Sequence, residues 1–247
     1  MNNRSMGKLP ESSLRSRGSC EVTPQSGSTT RTVFLDRDGT INHEVHHLRR
    51  VEQLELLDGA AEAIRLLNDA GIRVIVVTNQ AAIGRGLLTE SGLEDIHVAL
   101  RALLEERGAR IDAIYSCPHH PTEGVGTYRV ECECRKPKPG SLQRATQELD
   151  VILGSAFMVG DKCSDLEAGR AVGCRTVLVR TGYGSQAEAQ LQHRAASRSP
   201  RTGPDSTTSV EARTTKTTHS MPSDGRLADH VADNLLEAAL WILAQDT

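Results

Sequence analysis

FLDRDGTIN, residues 34–42, decides the reading of this chain. The segment 32–35 is a short apolar run stopped by a turn, the pattern of a strand buried on both faces. Two carboxylates, Asp36 and Asp38, stand just past its end, and Gly39 lets the backbone turn there. Working outward, apolar runs recur at 73–78 (RVIVVT), 113–116, 157–159 and 175–179 (RTVLV). Between them lie stretches with helical spacing. One covers 60–70 and is closed by Gly71; the next is capped by Thr89 or by a Ser91–Glu94 box and ends near Gly108. Two more follow at 141–149 and after a Ser164–Glu167 cap. Strands alternating with helices predict an α/β fold whose parallel sheet is covered on both faces. Such sheets bind ligands beyond the carboxyl ends of their strands. Asp36 follows the first strand, Thr78 closes the second and Asp161 follows the fourth.

Read alone, D-x-D-G-T is turn chemistry. Four motifs in order change that: FLDRDGTIN, VTNQ ending at Gln80, RKPKPG beginning at Arg135, and MVGDKCSDLEAG at 158–169. Together they supply what phosphoryl transfer needs, which is positioning and charge neutralisation. Asp36, Asp38 and Asp161 converge in this reading on one Mg²⁺, a hard cation that takes oxygen ligands. Asp36 is the nucleophile that forms an aspartyl-phosphate. Asp38, two residues on, protonates the leaving oxygen and later deprotonates water. Thr78, with Asn79 and Gln80 beside it, offers a hydroxyl and amides to phosphoryl oxygens. Lys136 supplies a point charge, and Arg135 a bidentate contact to a second phosphate or an acidic group. Lys162 contacts substrate or steadies the acid cluster.

CPHHPTEGVGTYRVECEC, residues 117–134, is rich in glycine and polar residues and poor in apolar ones. Such a loop needs a staple to hold a shape. Cys117, Cys132 and Cys134 with His119 make a Cys₃His set suited to tetrahedral zinc, and His120 is the competing ligand. The expectation is structural zinc, closed to substrate, beside the active site because Arg135 follows at once. Of the other cysteines, Cys20 belongs to the N-terminal tail, and Cys163 and Cys174 read as small buried residues. His43, His46 and His47 form a polar loop cluster after the first motif.

Aromatic residues are 2% of the 247, so the core must be built from Val, Ile, Leu and Ala. A net charge of −3 points to neither nucleic acid nor a membrane surface as partner. No apolar run approaches the roughly 18 residues that span a bilayer, and the N-terminus lacks the apolar core of a secretory signal. The expectation is a cytoplasmic monomer acting on a small phosphorylated metabolite. Residues 1–30 read as a disordered tail and 31–183 as the catalytic core. Residues 184–226, rich in Ser, Thr, Arg, Pro and Gln, read as a flexible insertion. Residues 227–247 return to the same domain as an edge strand at 230–232 and a helix capped by Asn234 with Glu237, where Trp241 packs.

FLDRDGTIN, VTNQAAIGRG, CPHHP…CECRKPKPG and MVGDKCSDLEAG resemble the haloacid-dehalogenase-type phosphatases. Within them, the resemblance is to the D-glycero-D-manno-heptose 1,7-bisphosphate 7-phosphatases and their sister histidinol-phosphate phosphatases. It implies a Rossmann-like three-layer core, essentially capless, whose open site takes selectivity from short loops. It puts the nucleophile on Asp36, the acid/base on Asp38, and Mg²⁺ on Asp36, the Asp38 backbone carbonyl and Asp161. Phosphoryl contacts fall on Thr78, Asn79 and Lys136, recognition on Arg135, and zinc on Cys117, Cys132, Cys134 and His119 rather than His120. The loop 44–47 lies where the subgroup contacts its sugar. The long zinc loop and the IGRG stretch at 83–86 resemble the heptose branch, which implies a sugar bisphosphate substrate. Histidinol phosphate is the alternative substrate. An inactive zinc-stabilised interaction module is the alternative of another class, and the intact Asp38 argues against it.

Overall fold

The computed structural model describes residues 30–198 and 226–246. The expected tail lies outside them, apart from Thr30. Six strands, β1 (Thr32–Leu35), β2 (Arg73–Asn79), β3 (Ala113–Cys117), β4 (Phe157–Gly160), β5 (Arg175–Val179) and β6 (His230–Ala232), form one sheet. Their order is β3-β2-β1-β4-β5-β6, with every pairing parallel. The central strands β1, β2, β4 and β5 are largely apolar on both faces because helices cover both. Val33, Leu35, Val74, Val76, Val159 and Val179 turn to one face, against α1 (Ala60–Asp69), α3 (Glu90–Glu105) and α7 (Leu235–Leu243). The alternate residues Phe34, Ile75, Val77 and Met158 turn to the other, against α4 (Gly140–Leu149) and α5 (Cys163–Ala171). This period of two lets short runs serve two layers at once.

The topology positions the site. Chain order runs outward from β1 through β2 to β3, then jumps back across β1 to β4. The crevice at such a reversal opens at the carboxyl ends of the two central strands. Val33 of β1 stands opposite Val74 of β2 and Phe157 of β4, so the residues after Leu35 and after Gly160 emerge side by side. Between β1 and α1 the chain holds only a loop with one 3₁₀ turn, Val51–Gln53, and no cap domain. Among the described residues, no helix is long and apolar enough to cross a membrane.

One open alternative is resolved and two local expectations are corrected. Thr89, not a Ser91–Glu94 box, caps α3, its hydroxyl accepting from the Gly92 amide at 3.0 Å. The helix α5 starts one residue before Ser164, and Asp165 rather than Glu167 closes its first turn by accepting from the Lys162 amide at 2.9 Å. The stretch expected as a flexible insertion from 184 begins instead with a 15-residue helix, α6 (Gly184–Arg198). Its polar composition hides two apolar positions, Ala187 and Leu191, that pack with Leu166 and Leu178. The rest of that stretch, 199–225, lies outside the described residues. Cys174 is buried, whereas Cys163 is only half-buried, with its thiol toward α6.

Leu67 is fully buried in the larger core cluster, on the face of α1 turned to the sheet. Leu67→Ala should cost about 2–5 kcal/mol, read from the shift in a urea unfolding curve.

Candidate active site

The turn after β1 is built around Arg37, whose carbonyl accepts from the amides of Thr40, Ile41 and Asn42 at 3.3, 2.8 and 3.2 Å. That tight turn needs Gly39 at φ +86°, a left-handed conformation. A Cβ there would also overlap the Asp161 carboxylate, so the glycine lets the β1 and β4 ends approach. Gly182, at φ +55°, makes the same allowance from the loop after β5.

Asp36, Asp161 and Asp165 are buried and bring carboxylate oxygens within 4.8 Å of one another. Lys136, itself buried, reaches across from the loop before α4. Its Nζ lies 2.9 Å from Asp36 Oδ1 and 2.7 Å from Asp165 Oδ1, and donates to the Val77 carbonyl at 2.6 Å. Burial works against ionisation of Asp36, but Lys136 and Lys162 outweigh it and hold the carboxyl below the usual carboxylate range. Burial likewise opposes the charge on Lys136, and Asp165 with Asp36 outweighs it, so the ammonium is held. Asp161 is left on the other side of the balance. Burial, then its neighbour Asp36, pushes it up to about 7. This site therefore carries more negative charge than its lysines neutralise.

The fit of a divalent cation can be read from Lys162. Its Nζ stands 2.8 Å from Asp161 Oδ1, 3.3 Å from the Asp38 carbonyl and 3.6 Å from Asp36 Oδ2. Three oxygens from two strand ends converge on one positive charge, the donor set a hard cation takes. Glu44 Oε2 joins at 3.5 Å. The Asp38 carboxylate does not join, contrary to the simplest reading of three converging carboxylates; only its backbone oxygen does. Its side chain turns to Arg37, to Asn42 Nδ2 at 3.0 Å and to Gln80 Nε2 at 2.9 Å.

The remaining expected residues are accounted for in the same way. Thr78 is buried with its hydroxyl accepting from Gln80 Nε2 at 2.8 Å. Asn79 exchanges two bonds with the Lys136 backbone, at 3.0 and 3.1 Å, and so locks the lysine loop to the end of β2. Arg135 donates to the His119 carbonyl at 3.2 Å, at the foot of the Cys/His loop. Cys117, Cys132 and Cys134 place their sulfurs 3.2–3.5 Å apart, with His119 Nδ1 3.4 Å from Cys134 and 3.8 Å from Cys117. Thiolates about 2.3 Å from a tetrahedral ion stand about 3.8 Å apart, close to this spacing and far from a disulfide. His120 is turned away, its Nδ1 accepting from the Glu123 amide at 3.0 Å.

Two groups escaped the sequence reading. Asp165 falls in the first turn of α5, four residues after Asp161, where it passes for an ordinary cap; its second oxygen belongs to Lys136. Arg37 is fully buried, its partner His97 sixty residues away on α3. A large cation between two acids in an otherwise apolar context was the one available signal. Loop 44–47 meets the rim through His47, whose Nε2 is 2.8 Å from Arg85 NH1, while Arg85 also pairs with Glu123 of the Cys/His loop.

A HAD-hydrolase-like family model matches residues 133–202. The D-glycero-beta-D-manno-heptose-1,7-bisphosphate 7-phosphatase of Pasteurella multocida is 42% identical over 153 residues, 62% of this chain and 83% of that protein. The Escherichia coli K12 protein of the same name is 42% identical over 159 residues, 64% and 83% of the two chains. Among solved structures, the D,D-heptose 1,7-bisphosphate phosphatase of B. bronchiseptica, complexed with magnesium and phosphate, superposes with a TM-score of 0.67 at 29% identity. That match covers 87% of this chain and 99% of the other.

Lys136→Met would leave buried carboxylates without their counter-ion. The variant should lose about 3–5 kcal/mol of stability in denaturant titration at neutral pH.

Proposed function

We propose, from the premise that this chain belongs to the haloacid-dehalogenase-like phosphatases and within them to the heptose-bisphosphate relatives, that it removes the 7-phosphate of D-glycero-D-manno-heptose 1,7-bisphosphate. The observation that carries the reading is the buried group of Asp36, Asp161, Asp165 and Lys136 at the two central strand ends. We read the enzyme as a cytoplasmic monomer; a reducing compartment suits a Cys₃His set.

Asp36 Oδ1 is engaged by the Arg37 amide at 2.8 Å and by Lys136, while Oδ2 faces the Lys162 ammonium at 3.6 Å, so that one carboxylate oxygen attacks phosphorus and the other would serve the cation. Attack forms the bond from an Asp36 carboxylate oxygen to phosphorus as the bond from phosphorus to the sugar oxygen breaks. The departing oxygen keeps the electron pair and receives a proton from the Asp38 carboxyl. Water then attacks phosphorus, Asp38 takes its proton, and the carboxylate of Asp36 is regenerated with release of phosphate. Lys136 keeps Asp36 ionised before attack and again once the carboxylate is regenerated. Thr78 and the amide groups beside it line the path of the phosphoryl oxygens. Mg²⁺, held by Asp36, the Asp38 carbonyl and Asp161, would offset the repulsion between carboxylate and phosphate. Binding it requires the Lys162 ammonium to move aside, and Glu44 offers that lysine a second anchor.

Zinc on Cys117, His119, Cys132 and Cys134 would fix the loop that ends at Arg135, which we assign to the distal phosphate. Arg85 ties this loop to His47, so the sugar meets a rim assembled from three segments.

Phosphate release from the heptose bisphosphate should require Mg²⁺ and should exceed release from histidinol phosphate in kcat/KM. Asp36→Asn should abolish it; full turnover by that variant would remove the covalent mechanism. Cys132→Ser should lower the zinc content of the purified protein from about one equivalent, as measured by elemental analysis, and lower its thermal stability.

A further inference from the structure

Arg37 is the largest fully buried side chain among the described residues, and an arginine in that position needs an account. Its guanidinium is spent almost wholly on the next residue. Nε lies 3.1 Å from Asp38 Oδ1, and NH2 lies 2.8 Å from both Asp38 oxygens. The one remaining nitrogen, NH1, points away from the site to His97 Nε2 at 3.4 Å. His97 sits on the inner face of α3 and is buried. Burial, then Arg37, lowers its pKa to about 4, so the ring is neutral and its Nε2 accepts from the guanidinium. The other ring nitrogen faces Glu94 Oε2 at 4.0 Å. A file of groups thus runs from the outer turn of α3 to the carboxylate beside the nucleophile.

We propose that Arg37, braced by His97, is a positioning residue for the Asp38 carboxyl in its proton transfer to the leaving oxygen. The proposal rests on the reading of Asp38 as the acid/base. A free aspartate at a half-open turn has two torsions to sample. A planar fork gripping both oxygens removes that freedom, provided the fork itself cannot swing. Burial and the bond to His97 supply the proviso. Asn42 and Gln80, both buried, hold the same carboxylate, but each through one nitrogen. The arrangement matters for catalysis because a misplacement of about 1 Å at a reacting group can cost about 100-fold in rate.

The alternative is that Arg37 and His97 merely fill space and balance charge. Leaving groups separate the two. An alkyl oxygen must be protonated as it departs, whereas 2,4-dinitrophenolate leaves without a proton. The ratio of kcat/KM on the heptose bisphosphate and on 2,4-dinitrophenyl phosphate therefore reports the acid step alone. His97→Leu and Arg37→Met should lose about 10- to 100-fold on the sugar ester and less than about threefold on the aryl ester, part of the 10²–10⁴ that acid–base catalysis supplies. His97→Gln, which restores an acceptor for Arg37, should recover most of the loss. Thermal melting verifies that each variant is folded, and the His97 pair carries the test should Arg37→Met fail to fold. Equal losses on both esters, or no loss on either, would overturn the proposal. Asp38→Asn, run alongside, should show the same leaving-group dependence more strongly. If it shows none, the assignment of Asp38 itself fails and the proposal falls with it; if it shows the dependence and the His97 variants do not, the positioning role alone is wrong.

Discussion

Three carboxylates share a space from which water is largely excluded, and two lysines hold them there. Asp36, Asp161 and Asp165 are each less than 5% exposed, and Lys136 touches two of them. Burying like charges together is costly unless a counter-charge is held at hydrogen-bond distance. Lys136 meets that condition for Asp36 and Asp165 and leaves Asp161 in deficit, which is why burial and Asp36 together push Asp161 upward. A site in this condition favours any further cation. Lys162 answers part of the demand from a more open position, and its contacts coincide with the oxygens a metal ion would take.

The sheet makes this concentration of charge possible. Parallel strands that are covered on both faces emerge together at one edge, and the reversal of strand order leaves that edge open at β1 and β4. The turn at Gly39 and the close approach at Gly182 bring the two ends within contact. Asn79 then fastens the Lys136 loop to the end of β2, so that the counter-charge is delivered by a third strand. Nothing in the arrangement depends on a second domain, which accords with the short connection between β1 and α1.

What could be read in the sequence follows from the same physics. Strands buried on both faces are unbroken apolar runs, so β1, β5 and β6 were legible to the residue and β2, β3 and β4 to within one. Asp36, Asp38 and Asp161 were legible as candidates because each stands at a strand end inside a recognisable motif. The grip on the Asp38 carboxylate was not, since it depends on where Arg37 turns, and Arg37 also reaches a histidine sixty residues distant. Asp165 was hidden by a local role that is also true: it does close the first turn of α5 while its other oxygen serves Lys136. The helix α6 was hidden by composition. A surface helix whose side-chain contact with the core comes from buried Ala187 and half-buried Leu191 has too little apolar content to stand out from a polar linker.

The Cys/His loop shows how a site without a cap can still be selective. Alone, a glycine-rich segment of this length would sample many shapes. Here it is pinned at its base by four ligand-type side chains within 4.8 Å of one another. It is pinned at its side by Val125, whose amide donates to the Gly84 carbonyl at 2.7 Å. A Cβ at Gly84 would press on the Pro118 carbonyl, so the turn after Gln80 and the loop are fitted to each other at backbone distance. Arg85 extends the contact to Glu123 on one side and His47 on the other. The rim is therefore one mechanical unit drawn from three segments. A change of length or charge in any one of them is felt by the other two.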